Sequence, residues 1–133
     1  MDGFNVRHLT LAVALSICMG TAFAATSNDF VDHAAAGGIA EIEASKLALE
    51  KSSSADIKAF ANMMITDHSK ANDELAAIAK KNDIKVPDST TLTNQAKEKI
   101  LDMRDESFDA AYANNQVKAH EQTIELFKKE ANT

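Results

Sequence analysis

Residues 57–78 read IKAFANMMITDHSKANDELAAI, and this stretch decides the fold. Ile57, Ala61, Met64, His68, Ala71, Leu75 and Ile78 recur at alternating spacings of four and three. That period is the apolar stripe of a helix packed into a bundle. One member is out of character: His68 stands where a leucine is expected. A second stripe runs Ala110, Ala113, Val117, His120, Ile124, Phe127 and Ala131, and a third runs Phe30, Ala34, Gly37, Glu41, Ala44 and Ala48. Each carries one polar residue near its middle: Glu41, His68 and His120.

The helices bounded by these stripes have local signals. The first spans about Asn28–Lys51, with Ser27 or Asn28 as cap and Asp29 and Asp32 at its positive end. Gly37-Gly38 costs about 1 kcal/mol of helix propensity per glycine, which points to close approach of a neighbouring helix. Ser52-Ser53-Ser54 is the turn. Ser53 with Asp56 resembles a capping box and starts a helix that runs to about Lys81. So short a connection predicts an antiparallel hairpin. Asn82-Asp83 and Pro87 end the second helix, and a loop is expected over Asp83–Thr91. A shorter helix then carries Leu92, Ala96, Ile100 and Met103. A break at Asp105-Glu106-Ser107 precedes the last long helix, about Ser107–Glu130; one continuous helix from Thr93 is the alternative. The fold class is all-α: an antiparallel four-helix-type bundle.

The N-terminus reads as an export leader over residues 1–24. Arg7 and His8 form a basic start, Leu9–Met19 an apolar core, and Ala22-Phe23-Ala24 a cleavage site, so a bundle domain is expected over 25–133. The apolar run is shorter than the roughly 20 residues of a spanning helix. No transmembrane span is expected after cleavage, and a periplasmic location is. Cys18 is the sole cysteine and lies in the leader; bulky Ile17 before it argues against lipidation. A chain starting at Ala25 has no disulfide, thiolate ligand or thiol nucleophile. The net charge is −6 with no basic cluster, so nucleic-acid binding is not expected.

Glu41, His68 and His120 fall at similar depths along their helices, and a meeting of all three is geometrically allowed. Neutral imidazole and carboxylate suit zinc, copper or iron, and bundle interiors house such sites. The competing and preferred reading is a hydrogen-bonded core cluster. A di-iron site needs Glu-x-x-His on two helices, and the chain has no Glu-x-x-His. His33 reads as a surface histidine, Met64 as core packing, and Tyr112 as a buried ring bonded locally at the bundle edge. No serine–histidine–acid arrangement, phosphate loop or nucleotide fingerprint appears, so the reading is non-catalytic.

Three blocks carry a family resemblance: Phe30 with Ala34-Ala35, Gly37-Gly38 and Ala40-Glu41; Ile57–Ala61 through Met64-Ile65, Asp67-His68, Asn72 and Leu75; and Phe108–Tyr112 with Gln116-Val117 and His120. In these the chain resembles the bacterial exported domain-of-unknown-function 4142 family. The resemblance implies an exported, ferritin-like helical bundle and supplies no activity. Relatives usually continue into a further amphipathic helix with another histidine, whereas this sequence stops at Thr133. One expectation is a bundle that lacks its last helix, with a homo-oligomer or a helical protein partner filling the gap; the alternative is a truncated version of the family sequence. Ser107 stands where a glycine often precedes Phe-Asp, and Ala119 where an aspartate is common. The expected role is binding or stress protection; metal binding through the Glu/His cluster and a partner-dependent interaction module are the alternatives.

Overall fold

The computed structural model describes residues 28–99 and 108–133. The leader, Cys18, Ile100, Met103 and the expected break at 105–107 lie outside the described residues. Among the described residues four helices follow in order: α1 (Asp29–Lys51), α2 (Ala55–Lys81), α3 (Ser89–Lys99) and α4 (Phe108–Ala131).

Caps set the boundaries. Asn28 Oδ1 accepts from the Val31 amide at 3.0 Å, with Asp29 and Asp32 in the first turn of α1. The Ser52 amide donates to Ala48 O, which closes α1, and Ser52 Oγ accepts from the Ser54 amide. The cap of α2 is Ser54, whose Oγ accepts from the Ile57 amide at 3.3 Å. This displaces the expected Ser53–Asp56 box by one residue, because Ser52 already holds the turn. At the far end of α2, Asp83 takes a left-handed φ of 55°. The Ile84 amide donates back to Ala79 O and the Asp83 amide to Lys80 O. That is a Schellman ending, with aspartate where glycine is usual. α3 starts earlier than expected. Asp88 caps it through the Thr91 amide (2.9 Å) and hydroxyl (2.7 Å), so Ser89–Thr91 are helical and not loop. These bonds also hold the Asp88 carboxyl below its ordinary range.

α1 is the hub and packs against α2, α3 and α4. The direction of packing is legible in the contacts. Phe30 meets Phe127 edge to face at 5.0 Å, and Ser45 meets Tyr112. From the first pair to the second, the α1 number rises by fifteen as the α4 number falls by fifteen, so the two helices are antiparallel. Between α2 and α4 the pairs are Phe60–Tyr112 and His68–His120. Both numbers rise by eight, so these helices run parallel. The expected hairpin of α1 and α2 is present, and Gly38 sits tight against α2: a Cβ there would overlap the Asn72 side chain. Gly37 faces open space.

The core gathers Ala44, Ala48, Ala61, Phe108 and Tyr112, with Leu47, Ile57 and Phe60 packed on it. Small residues on α1 and α2 let the helices close, and two aromatic rings from α4 fill the remaining volume. Leu92 and Ala96 of α3 are buried as expected.

The α4 stripe is corrected by the structure. Val117 is 61 % exposed and Ile124 51 %, while Tyr112 and Gln116 are buried. The buried face runs Phe108, Tyr112, Gln116, one residue or about 100° from the expected seam. The Phe108 and Tyr112 rings lie stacked, with centres 6.0 Å apart. Burying two such rings gains more than burying Ala110 and Ala113, and they set the rotation. On α2 the stripe holds through Ala61, Met64 and His68, but Ala71 and, at its end, Ile78 turn outward, and Ala79 is buried.

Candidate functional site

α1 brings two polar side chains into the interior, Glu41 and Ser45, one turn apart. α4 brings Tyr112, Gln116 and His120 on the same four-residue row. The Ser45 and Tyr112 hydroxyls share a buried hydrogen bond of 2.7 Å. Tyr112 is thus buried as expected, but its bond reaches across helices and is not local. Burial pushes the Tyr112 hydroxyl up, the Ser45 bond opposes this, and the Glu41 charge adds to it.

Glu41 is 5 % exposed, and its Oε2 has no hydrogen-bond partner among the described residues. Neither atom of the Gln116 amide has one either. Burial raises the Glu41 carboxyl above its ordinary value, while the neighbouring Gln116 amide and the His120 ring favour the charged form. Gln116 therefore lies beside Glu41 without meeting hydrogen-bond geometry.

His68 and His120 come together edge to face, with ring centres 5.9 Å apart. Both are half-buried. His120 Nδ1 lies 2.6 Å from Gln116 O. A carbonyl only accepts, so Nδ1 carries the proton and donates. In the neutral ring Nε2 then keeps its lone pair. Burial pushes the His68 imidazole down, and the His120 charge adds to this, while Asp67 opposes it.

The sequence trio is thus placed as a neighbourhood. The histidines touch each other and Glu41 feels His120, but among the described residues no three His, Cys, Asp or Glu side chains are gathered as a metal cage. Gln116 and Ser45 are the polar residues that the stripes missed. Both lie next to a predicted seam position, and only the rotation of α4 exposes their role. His33 is exposed and Met64 is core, as expected.

A cavity of about 470 Å³ lies between α1 and α4. Glu41 and His33 line it from α1; Asn115, Lys118, Gln122 and Thr123 line it from α4. Its wall mixes these polar residues with Ala40, Ala119 and Leu126, and carries one acidic residue, Glu41, from α1 and one basic residue, Lys118, from α4.

The family described as Domain of unknown function (DUF4142) matches residues 13–133, and the chain belongs to it. No curated protein and no solved structure matches the chain. No described helix is long and apolar enough to cross a membrane.

Proposed function

We propose that this family member is an exported, periplasmic, non-catalytic binding protein whose ligand occupies the α1–α4 cavity. The leader-like residues 1–24 support the location. The carrying observation is Glu41, a buried residue that lines a cavity large enough for a small molecule and keeps one carboxyl oxygen unpartnered. An unsatisfied buried polar group costs about 1–3 kcal/mol, so the site favours a ligand that completes its hydrogen bonding. A small polar molecule presenting an N–H or O–H to Glu41 and an acceptor to Lys118 fits this wall. Protection of the envelope under stress is the role such binding would serve.

Native mass spectrometry of the full chain expressed in bacteria and released from the periplasm tests this. The expected species has lost residues 1–24 and carries a small-molecule adduct that Glu41→Leu abolishes. A folded protein that stays in the cytoplasm, or that carries no adduct under any growth condition, defeats the reading.

A partner-dependent module is the second reading. Val117, Ile124 and Phe127 stand about half or more exposed on α4, spaced seven and three residues apart. Such a stripe suits a second helix, from another copy or a helical partner. Light scattering that finds a monomer at all concentrations removes the self-association version.

A further inference from the structure

We propose that His68 and His120 form a two-imidazole site for a late first-row transition-metal ion, copper held above zinc. The inference goes beyond the cavity reading and uses different donors, on the α2–α4 side of the bundle.

Three observations carry it. The first is span. A metal held at the roughly 2.0–2.1 Å usual for imidazole nitrogen stands about 3.1 Å from the ring centre. Two rings sharing one ion therefore have centres between about 4.5 and about 6.3 Å apart, as the N–metal–N angle opens from right to straight. The observed 5.9 Å lies inside that range, and a turn of the His68 ring out of its edge-to-face contact brings its nitrogen to the same ion as that of His120.

The second is tautomer. Histidines that bind metals nearly always donate the other ring N–H to a carbonyl or carboxylate, which fixes the ring and directs the lone pair. His120 makes this bond, from Nδ1 to Gln116 O. The bond is within one helix, from residue 120 to 116, so the ring is set by α4 itself and is in place before any ion arrives.

The third is register. The pairs Phe60–Tyr112 and His68–His120 share one offset between parallel helices. The aromatic contact two turns away thus shows that the two helices keep the histidines at a common level. Both rings are half-buried, so an ion can reach them while part of its hydration is removed.

Two neutral nitrogens with no thiolate select among borderline ions, and affinity for such donors peaks at copper in the Irving–Williams order. The remaining coordination positions go to solvent, with the Glu41 carboxylate in the same neighbourhood as His120.

The test uses the full chain, exported and purified without a tag and stripped with chelator, then titrated separately with copper(II) and zinc(II) sulfate. Expected are one equivalent of each, copper the tighter, and a copper electron paramagnetic resonance spectrum with hyperfine structure from two imidazole nitrogens. His68→Gln and His120→Gln each weaken binding by about 100-fold or more, at or beyond the upper end of the roughly 10- to 100-fold cost of losing an orienting group. Each also removes one imidazole from the spectrum. His33→Gln leaves both readouts unchanged. Sub-stoichiometric binding, or a two-nitrogen spectrum that survives either substitution, overturns the proposal. If a variant loses its helical circular dichroism, zinc added to wild-type protein labelled with ¹⁵N-histidine decides. Ring-nitrogen shifts at two histidines support the site, and unshifted rings refute it. Glu41→Leu removes the cavity adduct but keeps the two-nitrogen copper signature, so the two readings fail separately.

Discussion

The hydroxyls of Ser45 and Tyr112 meet at 2.7 Å between α1 and α4, both residues wholly buried. This bond joins the aromatic core to the polar pair Glu41 and Gln116, one turn before Ser45 on α1 and one turn after Tyr112 on α4. Tyr112→Phe and Ser45→Ala each strand a buried hydroxyl, and each is expected to cost about 1–2 kcal/mol. Denaturant unfolding of both singles and the double should show positive coupling of about 1 kcal/mol. Additive effects would mean that the two hydroxyls do not bond in solution.

The rotation of α4 is open to a direct check. Val117→Glu places a charge on a residue that is 61 % exposed and should change stability by no more than about 0.5 kcal/mol. Tyr112→Ala empties a core position and should cost about 3 kcal/mol or more. The reverse ranking in thermal or denaturant melts would restore the seam through Ala113, Val117 and His120.

Gly37 and Gly38 are adjacent but not equivalent. Gly37→Ala adds helix propensity into open space and should stabilise by roughly 0.5–1 kcal/mol. Gly38→Ala forces the Asn72 amide aside, a cost that offsets the propensity gain, so this variant should melt below Gly37→Ala. Asn72→Ala in the same chain should recover most of the loss. Equal melting temperatures for the two single variants would show that the α1–α2 approach is looser than described.

Two buried groups tilt the pH dependence of the metal-free protein in opposite ways. The Glu41 carboxyl is raised on folding, so the folded state holds its proton more tightly than the unfolded chain. Its contribution is full below its unfolded value near 4.5 and is lost as pH rises through the folded value. His68 is lowered on folding, so its contribution is full above 6.5 and is lost as pH falls toward its folded value. Glu41→Gln should therefore raise the melting temperature at neutral pH and remove the fall that begins above 4.5. His68→Gln should remove the drop on acidification below 6.5. A melting profile that neither substitution alters would mean that both groups titrate alike in the folded and unfolded chain.

The local elements were readable from residue order alone. Helix propensity, the serine turn and the Asn28 cap act within a few residues, so the sequence contains everything that decides them. The same holds for the α1–α2 hairpin and for Gly38 as a point of close approach. Glu41, His68 and His120 stood out because a polar group interrupts an apolar period, and the structure does bring the histidines together. Ser54 in place of Ser53, and the early start of α3 at Ser89, are one- to three-residue shifts set by which side chain wins a backbone amide.

What the order of residues left open was which face each long helix turns inward. On α4 two faces compete, one carrying Val117 and Ile124 and the other Phe108, Tyr112 and Gln116. Periodicity favours the first because it counts apolar residues; burial favours the second because it weighs ring area and the bond to Ser45. That choice depends on what α1 and α2 present across the interface, which no single helix encodes. It also decides the site, for only this rotation sets Gln116 beside Glu41 and leaves His120 against His68.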